Sequence, residues 1–448
     1  MLYNLFLEKM ILPLGDMLVG SSFMKELKNL RYQDTLSEDQ LEQLQREKLS
    51  KLLSYAVNNA SYYAKFKDMY EEDPVKFLKK FPILDKTTLR ENTDRLLTKH
   101  TSDLVMQRSS GSSGVQTTVY FDKKEQSIQR AYQIRWWEWA GYKIGNPILQ
   151  TGITPKRGIL KKIKDLLFRT YYLPAFAHSE KSVLDAFNWV SAKKNVVLAG
   201  YASSLYVLAE MAKQDKQNLR FKTAISWGDK LFDHYRNCIE TTFETQVHET
   251  YASSEGFMIA AQKDLPYMYI MSTDVYVEIV DDYGEEVSDG ELGHVLVTKL
   301  NNFSMPLIRY RIGDLAIKLP RENYPKQRQY AYPLLQKVIG RDTDLIKTRS
   351  GKYMVVHSFT GIIEHYTEIK QYTVLQKELD GIVIQYIADK NFETDILNDI
   401  EQKIRKSLQE DDFYIHFEEV ESIAPTASGK PQIIQSFLKK SNLNEKTI

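Results

Sequence analysis

"RSSGSSGVQTTVYFD", residues 108–122, sets four serines and two glycines in the six positions 109–114. Small side chains pack poorly, and Gly-Ser runs usually behave as flexible coil, so one reading is a linker. The run is short, however, and "TTVYF" follows at once with the threonine, valine and aromatic content of a strand. A strand leaving a tight Ser/Gly turn suits a backbone that approaches a ligand closely. A Walker phosphate loop is excluded, because Gly114 is followed by Val115 and Gln116 rather than by Lys and Ser or Thr. Backbone amides and serine hydroxyls can still cradle an anion without a lysine.

Working outward, the strand-like runs "VVLAG" (196–200) and "FKTAIS" (221–226) alternate with helical stretches such as "YASSLYVLAEMAKQ" (201–214). That alternation predicts parallel strands joined by crossover helices, an α/β fold. From 275 to 300 the pattern changes to "VYVEIV", "DDYG" and "GHVLVTKL", a β-rich hairpin region. Beyond 340, "YTVLQKEL" and "IVIQYIA" flank Asp380-Gly381, a strong hairpin signal. Ile396, Ile400, Ile404 and Leu408 then share a helix face, and "YIHFEEV" reads as one more strand. The expected division is a large domain over 1–340, helical over about 1–75, and a small α+β domain over 341–448. No internal repeat is visible.

Towards the N-terminus, "SEDQ" (37–40) forms a capping box. Leu49, Leu52, Leu53, Ala56 and Val57 follow at helical spacing as one buried stripe. "FPILDKTTLREN" (81–92) reads as an extended piece that turns into a helix at Asp85. "MLYNLFLEKMILPLGDMLVG" (1–20) is apolar, but Glu8, Lys9, Pro13 and Asp16 interrupt it well short of the roughly 20 residues that span a bilayer. It reads as an amphipathic helix covering another surface of the same protein, with peripheral membrane contact left open.

The 448 residues carry a formal net charge of +1, so no global basic field draws the chain to nucleic acid. One cysteine, Cys238, forbids an internal disulfide and suits a reducing, cytoplasmic setting. The eight histidines show no HExxH or comparable ligand spacing. Trp136, Trp137 and Trp139 read as helix core rather than as an aromatic substrate box.

After the Ser/Gly loop come, in order, "ETYASSEG" (249–256), "PLIRYRIGDLA" (306–316), "GRDTDLIK" (340–347) and "APTASGKPQ" (424–432). Each alone is weak: an isolated Glu255 is ordinarily a solvated acid, and Asp314 after a glycine is ordinarily a turn residue. The ordered set resembles the adenylate-forming (AMP-binding) superfamily, and within it the phenylacetate–CoA ligase family, including its capsular-polysaccharide-associated branch. "LSKLLSYAVNNASYYAKF" (49–66) and "FPILDKTTLREN" are similar to that branch, so the resemblance spans roughly residues 45–432.

The resemblance implies a large domain of mixed, largely parallel sheets flanked by helices with a β-rich subdomain, and a small mobile C-terminal domain. It implies that Ser109, Ser110, Gly111, Ser112, Ser113 and Gly114 hold the β- and γ-phosphates of ATP. Glu255 would bind Mg²⁺, with Tyr251 against the adenine and Ser254 beside it. Gly228, in "SWGDK" (226–230), stands at the adenine-side turn. Asp314, helped by Arg341, would accept from the ribose hydroxyls. Lys430 would reach the α-phosphate and the substrate carboxylate, and Thr343 and Asp344 would form the hinge.

The chemistry suits these residue types. A carboxylate lacks a leaving group; joined to the α-phosphate of ATP it gains AMP as one, and a thiol can then attack. The implied activity is an acid–thiol ligase that uses ATP, Mg²⁺ and CoA on a small carboxylic acid. Alternatives are transfer to a carrier protein or a sugar amine in surface-polysaccharide assembly, or a non-catalytic nucleotide binder. A homodimer is a further expectation. Two departures touch the second half-reaction: Thr343 precedes Asp344 where the family has paired aspartates, and "IKTRSGKY" carries one extra residue before Gly351.

Overall fold

In the computed structural model, a serine cap starts the first large helix. Ser37 accepts from the Gln40 amide at 3.3 Å while Gln40 reaches back to the Ser37 amide, closing the capping box at the head of Glu38–Asn59. Leu49, Leu52, Leu53 and Ala56 lie wholly buried on one face of that helix. The structure describes residues 2–108, 117–152, 158–175, 180–341, 345–349, 353–355, 359, 362–363, 366, 368–408, 410, 412–423 and 433–437.

Strands β1 (Val105–Arg108) and β2 (Thr118–Phe121) pair antiparallel, with Arg108 opposite Thr118. The chain before and after the Ser/Gly run thus lies in one two-stranded sheet. Then come β3 (Ile148–Gly152), β4 (Thr170–Pro174), β5 (Val197–Tyr201), β6 (Thr223–Trp227) and β7 (Val247–Ala252). These five are parallel in the order β4-β3-β5-β6-β7, and the helices Glu180–Ser191, Ala202–Gln214 and Asp233–Phe243 pack apolar side chains against them. Branched and small residues such as Val197, Leu198 and Ala199 fill strands buried on both faces.

At β7 the sheet changes sense. β8 (Met258–Gln262), β9 (Met268–Ile270), β10 (Val275–Val280), β11 (Leu292–Lys299), β12 (Tyr310–Lys318) and β13 (Leu334–Arg341) continue it antiparallel in the order β7-β8-β9-β13-β12-β11-β10, eleven strands in all. The helix Lys123–Trp139 buries Trp136, Trp137 and Trp139 in a second core cluster, as their spacing predicts.

Past β13 a separate set of strands begins. β14 (Leu345–Lys347) pairs with β15 (Tyr353–Val355), and β16 (Ile369–Glu378), β17 (Gly381–Ala388), β18 (Tyr414–Glu419) and β19 (Ile434–Ser436) form a four-stranded sheet in the order β18-β17-β16-β19. Asp380 and Gly381 turn the β16–β17 hairpin, and Ile400, Ile404 and Leu408 of the helix Asp395–Leu408 sit in a core drawn from residues 346–434.

The N-terminal segment differs from expectation. It runs as Leu2–Phe6, a π-helical turn Leu7–Ile11, and Leu12–Val19, but Leu7 alone is fully buried. The widened turn inserts a residue into the helical period. The apolar stripe therefore faces mostly outward, and the segment covers little of the protein beneath it.

Candidate active site

Ligands of open α/β sheets gather at the carboxyl ends of the parallel strands, where the chain order reverses. Here those ends carry Tyr201 on β5, Gly228 just past β6, and Tyr251 on β7. The register brings Tyr201 opposite Trp227, and Thr250 Oγ1 donates to the Ser226 carbonyl at 2.9 Å, holding the three ends level.

The turn after β7 is built tightly. The Ser253 amide donates to the Phe257 carbonyl and the Gly256 amide to the Ser253 carbonyl, both at 3.0 Å. Gly256 has φ +82°, and a Cβ there would sit 2.4 Å from Gln129 Nε2 and 2.8 Å from Phe121 Cζ, so glycine is required twice over. Lys299 Nζ donates to the Gly256 carbonyl at 2.7 Å and pairs with Asp274 at 2.6 Å, both residues being buried. Gln107 Nε2 donates to the Ser254 carbonyl at 2.8 Å, tying β1 to the same turn.

This turn presents Glu255, only 5% exposed. Tyr310 Oη donates to Glu255 Oε1 at 3.1 Å, Thr117 Oγ1 to the same oxygen at 3.4 Å, and Ser254 Oγ to Oε2 at 3.4 Å. Burial, and then the Glu255 carboxylate beside it, push the Tyr310 phenol far above its usual range. It therefore stays a protonated donor. The ring of Tyr310 stacks on Phe257 at 5.6 Å. Thr117, three positions past Gly114 in the sequence, directly precedes β2, so the start of that strand is tied to Glu255.

Asp314 lies on β12, preceded by Gly313 at φ +88°. It accepts from Tyr251 Oη at 2.8 Å and stands opposite Arg341 in the β12–β13 register. Around Gly228, φ is +81° and a Cβ would meet the Tyr201 ring at 2.5 Å. The next residue, Asp229, accepts from the amides of Ala202 (2.6 Å) and Ser203 (3.1 Å) and caps the helix Ala202–Gln214. Lys230 Nζ donates to the Ile339 carbonyl at 2.6 Å, fixing the turn to β13.

The structure thus brings Tyr251, Ser254, Glu255 and Asp314 together and places Gly228 on the neighbouring strand end. Ser109, Ser110, Gly111, Ser112, Ser113, Gly114, Thr343, Asp344 and Lys430 lie outside the described residues, as does the side chain of Arg341. Sequence reasoning missed Thr117, Gln107, Tyr310 and Asp229 as supporting groups. Tyr310 and Asp229 sit inside the quoted motifs; Gln107 and Thr117 flank the Ser/Gly loop, and nothing local marks either. One carboxylate suits Mg²⁺, which completes its shell with water and phosphate oxygens. Among the described residues no three His, Cys, Asp or Glu side chains cluster as a metal cage.

No family model matches the chain. Protein CapK of Staphylococcus aureus is 23% identical over 446 residues, covering 94% of this chain and 95% of that one. The phenylacetate-coenzyme A ligase of Pseudomonas putida is 26% identical over 363 residues, 75% and 78% of the two chains. A 2-hydroxyisobutyryl-CoA ligase solved in the postadenylation state with R3-HIB-AMP shares the fold at TM-score 0.68 and 17% identity, with 91% of each chain covered. The same ligase, solved with 2-HIB-AMP and CoA in the thioesterification state, aligns at TM-score 0.58. The chain thus shares the fold of this CoA ligase, and its sequence is similar to Protein CapK along nearly its whole length and to the phenylacetate-coenzyme A ligase along three quarters of it.

Proposed function

We propose that the protein activates a carboxylic acid with ATP through an acyl-adenylate and then transfers the acyl group to the thiol of CoA. The observation that carries this reading is the convergence of Tyr251, Glu255 and Asp314 beside Thr117 at the start of β2. Asp314 accepts from the ribose hydroxyls while Tyr251 flanks the adenine and holds the Asp314 carboxylate. Glu255, oriented by Tyr310 and Thr117, would hold Mg²⁺, which would supply positive charge to offset that of the departing pyrophosphate. Ser109, Ser110, Gly111, Ser112, Ser113 and Gly114 line the β- and γ-phosphates with amides and hydroxyls.

The substrate carboxylate attacks the α-phosphorus, its oxygen–phosphorus bond forms, and pyrophosphate leaves. Lys430, from a small domain over 341–448, stabilises the negative charge that builds on the α-phosphoryl oxygens. The CoA sulfur then attacks the acyl carbon and AMP leaves. The same small domain serves both steps by rotating about Thr343 and Asp344; the support is a neighbour of the same fold solved in both states.

A second reading keeps the adenylate and changes the acceptor to a carrier protein or a sugar amine in surface-polysaccharide assembly. It is favoured by the near full-length match to CapK, 94% of the chain against 75% for the ligase, and by the departures at Thr343 and before Gly351. Pyrophosphate release over a panel of aryl and short-chain acids, with and without CoA, separates the readings. Acid-dependent release that CoA accelerates, with loss of free thiol, supports the first. Acid-dependent release that CoA leaves unchanged supports the second, and no acid-dependent release with any acid sinks both.

A further inference from the structure

Nine large hydrophobic side chains of residues 2–19 stand in solvent, among them Leu2 (83% exposed), Phe6, Met10, Leu14 and Leu18 (80%) at four-residue intervals, with Met17 (74%) beside them. Those residues form a stripe about 24 Å long at the α-helical rise. Soluble monomers rarely leave so continuous an apolar face uncovered. A second helix, Ile159–Leu167, extends it: Tyr3 Oη donates to the Leu167 carbonyl and the Arg169 guanidinium lies 5.8 Å from the centre of the Tyr3 ring. That helix adds Ile163 and Leu166 (80%), both exposed.

The charges around this face are sorted. Residues 2–19 contain two acids, and both are tied to protein: Glu8 pairs with Arg31 at 2.7 Å, and Asp16 accepts from the Met24 amide at 2.7 Å. Lys9 is exposed on the outer side. Residues 158–169 hold four basic residues against one acid, and Lys162, Lys164 and Arg169 are exposed. The whole chain is nearly neutral at +1, so this basic bias is local.

We propose that this face docks the protein onto an anionic lipid surface. The segment 2–19 lies in the plane of the interface with its apolar stripe among the acyl chains. Lys9, Lys162, Lys164 and Arg169 meet the headgroup charge. No helix among the described residues is long and apolar enough to cross a membrane, which fits a contact that lies on the surface. A second copy of this chain is the weaker occupant, because a two-fold contact would set these basic groups against themselves.

The test uses the full-length protein and sedimentation with vesicles of phosphatidylcholine, alone or with about a third phosphatidylglycerol. Binding to the anionic vesicles should exceed binding to the neutral ones by at least about tenfold, and should weaken in high salt. Met17→Ser with Leu18→Ser, at two positions too exposed to matter for folding, should lower binding about tenfold. Lys162→Glu with Lys164→Glu should abolish the preference for anionic vesicles while thermal unfolding stays unchanged. Equal or absent binding to the two compositions overturns the proposal. So does a wild-type dimer in sedimentation velocity that Met17→Ser/Leu18→Ser converts to a monomer with no vesicle binding, since a second copy would then cover the face.

Discussion

Tyr251 donates its hydroxyl to Asp314 at 2.8 Å, joining β7 to β12 across 63 residues of chain. The bond holds the Asp314 carboxylate beside the carboxyl end of β7. Tyr251→Phe should therefore weaken ATP binding about tenfold, the lower end of the worth of one hydrogen bond to a charged group, with folding unchanged. Asp314→Ala should cost more, on the order of 2–4 kcal/mol in kcat/KM for ATP. Titration calorimetry with ATP and pyrophosphate-release kinetics read the two effects. Equal ATP affinity in all three proteins would remove the pair from the nucleotide site.

Glu255 is held by donors that stay protonated, so its oxygens point where a cation can meet them. Tyr310→Phe should raise the Mg²⁺ concentration at half-maximal rate several-fold, because the carboxylate loses its orienting partner. Stability should fall by about 1 kcal/mol, as for one lost buried hydrogen bond. A magnesium titration of pyrophosphate release at saturating ATP measures the first, and chemical denaturation the second. An unchanged magnesium dependence in the folded variant would assign Tyr310 to packing against Phe257 alone.

Lys430 and the hinge should separate the two half-reactions. Lys430→Ala should abolish adenylate formation, while chemically supplied acyl-adenylate is still converted by the second step. Thr343→Pro should do the reverse, since proline fixes φ where the backbone must turn. Single-turnover assays of each step decide it. Equal damage to both steps in folded Lys430→Ala would end the two-position mechanism.

Two adjacent residues of β7 set opposing pH dependences. Burial raises the Glu249 carboxyl from 4.5 to about 7, against the pull of Arg236 and Lys230. Its stabilising share is therefore complete below 4.5 and is lost as pH rises through about 7. Burial, with Lys263 and Arg236 nearby, lowers the His248 imidazole from 6.5 to about 4, so its share is complete above 6.5 and is lost as pH falls through about 4. Glu249→Gln should gain on the wild type by on the order of 1–3 kcal/mol between about pH 5 and about pH 8. Thermal unfolding across that range checks it, and parallel curves for the two proteins would show that Glu249 titrates normally.

The sequence by itself determined what short-range forces determine. The capping box at Ser37, the hairpin at Asp380-Gly381, the buried stripe from Leu49 to Val57 and the α/β alternation each follow from hydrogen bonds or periodicity within a few residues. The order of the motifs pointed to Tyr251, Glu255 and Asp314 as one group. Only the tertiary structure decided how they meet. Tyr310 reaches Glu255, and Tyr251 reaches Asp314, because β12 and β13 fold back beside β9, β8 and β7, and that strand order and register depend on packing over the whole sheet. Asp229 caps a helix that begins 27 residues earlier for the same reason. The outward face of residues 2–19 was equally hidden: an apolar stripe shows in sequence, but which side it turns to is set by the surface it meets, and here only Leu7, with Ile11 and Leu12 partly buried beside it, packs into the core.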